Sequence, residues 1–285
     1  MKELCFDIST WQGGINYQAV KERVNYCILR AGFEYTKDNQ FENHYNNLKD
    51  INLGAYWYSY ATNRDEAIKE ARTFLKVIED KKFTLPLYLD IEDPSQRGLG
   101  RTTLNDIVNA FGEIIENAGY YFGVYTNLDW YRNIISGSEL NKKYDWWIAC
   151  WSDTAPSGVD YGVWQFTSDY NTFGERLDAN YVFCDYPKII KEAGLNHLGG
   201  DTPTPEPTKD FKIGDKVCVK GYATERSDGT GSQTAEYTGN PNDPSDIRYI
   251  TLIDEGSVRP YHISVGNTLG DGDRGWVASS QLTKL

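Results

Sequence analysis

Short apolar runs alternate with amphipathic stretches through the first two thirds of the chain. The runs Leu4–Ile8, Tyr26–Ala31, Leu53–Tyr58, Leu87–Ile91, Tyr121–Tyr125, Trp146–Cys150 and Gly162–Phe166 each have strand length. The stretch around Arg176–Asp178 offers an eighth. Between them the spacing turns helical. Asn16 can cap a helix running to Val24, and Asp38–Asp50 presents Phe41, Tyr45 and Leu48 on one face. Asn63-Arg-Asp-Glu66 reads as a capping box ahead of an apolar stripe of Ala67, Ala71, Phe74, Leu75 and Ile78. Thr103–Ala118 ends at Gly119, a short helix is expected near Leu128–Ile135, and Pro187–Ala193 closes the series. Repeated strand–helix order predicts a parallel sheet, and eight strands can close into a barrel. Helical signal fades after residue 136. The expected fold class is therefore α/β, an irregular (β/α) TIM-like barrel with fewer than eight outer helices.

The pattern changes near residue 196. Thr202-Pro-Thr-Pro-Glu-Pro-Thr208 disfavours helix and reads as an extended, semi-rigid linker over 196–209. From Phe211-Lys-Ile-Gly-Asp-Lys-Val-Cys-Val219 onward, β runs at Arg248–Ile253, Arg259–Val265 and Gly275–Ala278 are separated by turn residues. The segment 225–246 follows no clear period. Two domains are thus expected: 1–195, and a small all-β barrel over 210–285.

In a barrel of this kind, reactive groups sit at the C-terminal ends of different strands. Those ends carry Asp7, Arg30, Tyr58, Asp90, Glu92, Tyr125, Trp151, Gln165 and Asp178. Asp90 and Glu92 share one strand face, their backbones roughly 6.6 Å apart. Neighbouring carboxylates raise one another's pKa, and a glycosidase needs one acid protonated beside one ionised. Singly, each residue has a plainer reading: a turn cap for Asp7 or Asp178, an ion-pair partner for Arg30, rim packing for the aromatics. Their convergence carries the argument.

Composition narrows the field. Residues 1–200 carry 20 Lys/Arg against 28 Asp/Glu, and residues 201–285 carry 9 against 13. Both parts are acidic, which argues against nucleic acid as a partner. No apolar run approaches the length of a membrane span. The five cysteines show no ligand spacing, and Cys5, Cys27, Cys150 and Cys218 read as small buried hydrophobes. No metal or cofactor is expected. The N-terminus enters a strand pattern without a signal segment, so synthesis in the cytosol is expected. The 21 Tyr and 8 Trp suit sugar rings, with their apolar faces and polar edges.

Asp7-Ile-Ser-Thr-Trp-Gln-Gly13, Leu-Asp90-Ile-Glu92, Gly123-Val-Tyr125-Thr, Trp147-Ile-Ala149, Val163-Trp-Gln165-Phe and Leu177-Asp-Ala-Asn180 occur in this order. Over residues 3–195 the chain resembles glycoside hydrolase family 25, the N-acetylmuramidases with an irregular β/α barrel. The resemblance implies cleavage of the β-1,4 bond between N-acetylmuramic acid and N-acetylglucosamine. It implies Glu92 as general acid and then base. Asp90 would act as nucleophile or as orienter of a substrate acetamido group, with Asp7 and Asp178 completing an acidic floor. Arg30, Tyr58, Tyr125, Trp151 and Gln165 would bind substrate. Two stretches depart from the family pattern: Ala-Gly-Phe-Glu-Tyr after Arg30, and Tyr56-Trp-Tyr58.

Val/Ile-Gly-Asp-Lys-Val near residue 217 and Gly-Trp-Val-Ala-Ser-Ser-Gln-Leu at the end resemble bacterial SH3-type wall-binding domains. This implies Trp276, Tyr249, Tyr261 and Tyr222 as candidate ligand aromatics. A catalytic unit joined to a wall binder resembles a phage endolysin, released through a holin to the wall of a Gram-positive host. The partners expected are peptidoglycan and wall saccharide, without nucleic acid or membrane insertion; self-association through the C-terminal unit stays an open alternative. Other open readings are a barrel glycosidase acting on chitin-like glycans and a non-catalytic wall-binding protein.

Overall fold

The computed structural model describes residues 2–198, 211–227, 232–254 and 259–285. Contacts divide the chain into two units, Met1–Thr202 and Pro203–Leu285.

In the first unit nine strands form one sheet: β1 (Glu3–Ile8), β2 (Tyr26–Phe33), β3 (Thr36–Lys37), β4 (Asn52–Tyr58), β5 (Leu87–Asp90), β6 (Phe122–Asn127), β7 (Asp145–Ala149), β8 (Val163–Thr172) and β9 (Glu175–Val182). The order is β1-β9-β8-β7-β6-β5-β4-β2-β3, and β1 also pairs with β2. That last pairing joins the ends of the series, so the sheet is barrel-like, with β3 an appended edge. Helices α1 (Tyr17–Arg23), α2 (Phe41–Leu48), α3 (Arg64–Ile78), α4 (Arg101–Asn117), α5 (Gly137–Leu140) and α6 (Tyr186–Glu192) complete the unit.

The sheet is not wholly parallel as expected. β9 runs antiparallel to both β8 and β1. Only Phe173 and Gly174 separate β8 from β9, and both have positive φ, 36° and 84°. A two-residue turn of that hand makes a hairpin, whereas a parallel return needs a crossover of a dozen residues or so.

Side chains alternate in and out along each strand. On β4, Trp57 points outward and packs on Phe74 of α3, ring centroids 5.5 Å apart. Inside, Trp147 is 1% exposed and meets Tyr88, Tyr125 and Tyr56 at 5.3, 4.4 and 5.7 Å. Gly123 makes room for this cluster, since a Cβ there would lie 2.6 Å from the Tyr88 ring. The aromatic plug closes the barrel interior beneath the C-terminal strand ends.

α2 starts at Phe41 rather than Asp38. The Asp38 carboxylate accepts from Gln40 N (2.8 Å), Thr10 N (3.0 Å) and Arg30 Nε (2.7 Å), which fixes it as a loop tie ahead of the helix. Cys5, Cys27 and Cys218 are buried free thiols, but Cys150 is half-buried. The expected linker lies outside the described residues from 199 to 209. Its first residues belong instead to the packed unit. Asn196 is 2% exposed, donates to Phe83 O (3.1 Å) and Leu85 O (2.9 Å), and accepts from Tyr121 N (2.7 Å).

Among the described residues the second unit is built of strands joined by loops and two 3-10 turns: β10 (Lys216–Thr224), β11 (Gln233–Thr238), β12 (Ile247–Ile253), β13 (Tyr261–Ser264), β14 (Asp273–Val277) and β15 (Leu282–Lys284). β10 pairs with β11, β12, β14 and β15, so the sheet folds back on itself. Its core holds Phe211, Val217, Val219, Tyr237, Ile250, Ile263 and Val277. Tyr261 belongs to this core at 7% exposure, edge-on to Phe211, because it shares the inward face of β13 with Ile263. That burial removes it from the candidate ligand aromatics. Trp276 and Tyr249 are half-buried, and Tyr222 is exposed.

Asn196→Ala would leave two carbonyls and one amide unpaired in the interior, at a cost of about 2–4 kcal/mol. Urea denaturation of the chain is the measurement. A loss under about 0.5 kcal/mol, the range of ordinary surface changes, would refute this role.

Candidate active site

A cavity of about 190 Å³ opens at the C-terminal strand ends, lined by Asp7, Ser9, Trp11, Arg30, Tyr56, Tyr58, Asp90, Glu92, Tyr125, Trp147, Gln165 and Asp178 among others. A second cavity of about 300 Å³ shares Trp11, Arg30 and Tyr58 with it and adds Thr10, Phe33, Asp38, Asn39 and Tyr60. Eight of the nine strand-end residues singled out from the sequence therefore line one hollow. Trp151 does not. It is 65% exposed and reaches the site only by donating from Nε1 to Gln165 Oε1 at 3.0 Å.

Asp7 and Asp178 are direct cross-strand partners on β1 and β9. Asp7 Oδ2 accepts from Asn180 Nδ2 (2.7 Å) and Gln165 Nε2 (3.0 Å). Burial raises the Asp7 pKa, and the hydrogen bonds from Asn180, Gln165 and Asp178 oppose that rise. Asp178 is pushed from its ordinary 3.8 up to about 8, first by burial and then by the Asp7 charge. The pair thus holds a proton near neutral pH, with Asp178 donating to Asp7.

Asp90, at the end of β5, is 4% exposed. Burial, then the charges of Glu92 and Asp7, lift its pKa well above the carboxylate range, while Arg30 works the other way. Its Oδ1 has no hydrogen-bond partner among the described residues. Glu92 is half-buried and accepts from Asn127 Nδ2 at 3.3 Å. Its pKa is raised by burial, against the Asn127 hydrogen bond and with the help of Asp7 and Asp93. Two carboxyls whose acid forms are favoured by burial, beside a third that accepts three hydrogen bonds, form an arrangement suited to giving a proton to a bound ligand.

Among the described residues Arg30 is the lone cation lining either cavity, and its Nε is engaged by Asp38. Tyr125 OH donates to Gln165 Oε1 (3.2 Å), and Tyr58 OH donates to Asp93 Oδ2 (3.0 Å). Asn180, Asn127, Asp38, Tyr56, Trp147 and Trp11 were not singled out. Asn180 was within reach: it sits two residues after Asp178 on the same strand face. Its Oδ1 also accepts from Trp147 Nε1 at 2.7 Å, tying the acidic floor to the aromatic plug. Among the described residues no group of three or more His, Cys, Asp or Glu is arranged to hold a metal ion.

Residues 6–175, more than half of the chain, match the sequence model of Glycosyl hydrolases family 25. The chain belongs to that family. It is also similar to Lysozyme M1 of Streptomyces globisporus, 30% identical over 194 residues, spanning 61% of this chain and 65% of that relative's length. Among solved structures, the fold is similar to the catalytic domain of endolysin ply40 from bacteriophage P40 of Listeria monocytogenes. There the TM-score is 0.57 and the identity 23%, over 67% of this chain and 97% of that one. The bacterial lysozyme from Streptomyces coelicolor has a TM-score of 0.55 and 24% identity, over 69% and 98% of the two chains. In this family-25 chain the matched region contains Asp7, Arg30, Asp90, Glu92 and Gln165, though it stops short of Asp178.

A carboxyl whose folded pKa exceeds its unfolded value stabilises the fold fully below the unfolded value, and that contribution fades as pH rises through the folded one. For Asp178 the window is from about 3.8 to about 8. Asp178→Asn is therefore expected to melt no higher than the parent at pH 4 but higher at pH 8.5. An equal difference at both values would show that Asp178 is not held protonated.

Proposed function

We propose that this chain is an N-acetylmuramidase that cleaves the β-1,4 bond from N-acetylmuramic acid to N-acetylglucosamine in peptidoglycan. The observation that carries the reading is the single hollow in which Asp7, Asp90, Glu92 and Asp178 converge beside Tyr58, Tyr125 and Gln165. Glu92 is the general acid. Half-buried and held by one weak hydrogen bond, it has its acid form favoured by burial and can give its proton to the glycosidic oxygen. It then serves as base toward water. Asp90 is buried and disfavoured as an anion, with one oxygen free. That suits a hydrogen bond to the substrate acetamido group, which would itself attack the anomeric carbon, more than attack by Asp90. Asp7, held by Asn180 and Gln165, supplies negative charge opposite the developing oxocarbenium ion. Exposed Trp11 and Trp151 offer sugar-stacking faces on the rim.

The second unit is read as an SH3-like wall-binding module, with Trp276, Tyr249 and Tyr222 as its ligand aromatics. It is acidic, so stacking and hydrogen bonding to saccharide are expected rather than attraction to anionic wall polymers. Lysis of a Gram-positive host, with release to the wall through a holin, is part of the same proposal, and the fold it shares with a phage endolysin domain is compatible with that role.

Glu92→Gln is expected to fold and bind walls normally while kcat falls about a thousandfold, within the range for a lost general acid. The assay is turbidity loss of Gram-positive walls with reducing-end analysis, in which the parent exposes muramic acid. Near-normal turnover by the variant would remove Glu92 from its role. Glucosamine at the new ends would replace the muramidase reading with a different glycosidase.

A further inference from the structure

The apolar stripe of α3 contains a carboxylate. Glu70 is 1% exposed, among Ala67, Ala71 and Phe74. Its Oε1 accepts from Tyr60 N at 2.9 Å, and the Ser59 hydroxyl is a second donor. Its Oε2 is buried with no hydrogen-bond partner among the described residues. A buried glutamate with half its acceptor capacity idle is a costly way to hold a turn that glutamine could hold.

The turn it holds is part of the groove. Tyr58 lines both cavities and Tyr60 the second. Their rings are 5.2 Å apart. Between them Ser59 N donates to Asp90 O at 2.9 Å. Gln96, fully buried, donates to Ala61 O at 2.9 Å and accepts from Asp93 N at 3.2 Å, while Asp93 accepts the Tyr58 hydroxyl. A continuous set of hydrogen bonds therefore runs from Glu70 through the turn to the backbone of the Asp90–Asp93 segment.

Building on the muramidase reading, we propose that Glu70 is a positioning residue for the glycan groove. Its carboxylate, reaching up from α3, fixes the turn that sets Tyr58 and Tyr60 as the aromatic wall. The grip is strongest when Glu70 is ionised, because a charged acceptor makes hydrogen bonds roughly twice as strong as a neutral one. Burial raises the pKa of this group from 4.5 to about 7, against the Ser59 and Tyr60 hydrogen bonds. Glu34, from the turn after β2, and Glu66, from α3 itself, add to the rise, and Tyr35 faces the same acids. The wall is thus held firmly above neutrality and loosened below it, at some cost to stability when the charge is present.

Glu70→Gln separates grip from stability. At pH 8 it is expected to raise KM for a soluble peptidoglycan oligosaccharide about fivefold, the difference between a charge-assisted and a neutral hydrogen bond. kcat should change little, and the variant should melt at or above the parent. The parent's own KM should rise toward the variant's as pH falls through 7. Amide hydrogen exchange over residues 58–61 at pH 8 should be faster in Glu70→Gln and faster still in Glu70→Ala. A variant that binds less well yet melts no lower is a signature that a purely structural role cannot give. Unchanged KM and exchange would overturn the proposal, as would a parallel loss of kcat, KM and melting temperature. If the parent cleaved no oligosaccharide at any pH, the muramidase reading would fail. The exchange measurement would then still decide whether Glu70 holds the turn.

Discussion

The site rests on one electrostatic constraint: four carboxyls share a hollow whose lining, among the described residues, holds a lone cation. That cation, Arg30, already serves the buried Asp38. Full ionisation would place four negative charges close together in poorly solvated surroundings, so the group keeps protons at neutral pH. The protein settles which acid keeps them by unequal hydrogen bonding. Asp7 is stabilised as an anion by Asn180 and Gln165, whereas Asp178, Asp90 and Glu92 receive less help. Acid and anion side by side are what glycosidic bond cleavage requires.

The barrel-like sheet makes this crowding tolerable. Trp147, packed edge-on against Tyr88 and Tyr125, fills the interior beneath the acids. Its indole N–H holds Asn180, which in turn holds Asp7. Packing energy in the plug is thereby used to fix the orientation of a charged group that repulsion would otherwise displace. On the other side, Arg30, Asp38 and Thr10 tie the loop after β1 to the start of α2. His44 adds to the same loop, with one ring nitrogen 2.8 Å from Ser9 O and the other 2.9 Å from Tyr17 OH.

Most of the architecture could be read from the chain because buried strands and amphipathic helices leave periodic signatures. Three acids were legible for a related reason: Asp7 and Asp90 lie at the C-terminal ends of β1 and β5 and Glu92 just past β5, where barrel strand ends converge. Asp178 instead reaches the hollow from within the antiparallel β9. What could not be read depended on contacts distant in sequence. The direction of β9 is set by two positive-φ residues, Phe173 and Gly174, the first of which gives no turn signal of its own. β11 buries only Tyr237 well, so Gln233–Thr238 looks like loop. Tyr261 alternates with His262, which is also buried, so neither face of β13 identifies itself. Asn196 resembles linker until the carbonyls it caps, more than a hundred residues earlier, are located. Glu70 sits inside an apolar stripe where a polar residue reads as noise.

Where protons reside among the four carboxyls decides whether the hollow can work as described. Carboxyl ¹³C NMR titration of the full chain, with Asp7, Asp90, Glu92 and Asp178 assigned by single amide variants, measures this directly. The expected result is an Asp178 midpoint near 8, with Asp90 well above its ordinary value and Glu92 raised from its own. Four independent midpoints near 4, the value for solvated carboxyls, would contradict it.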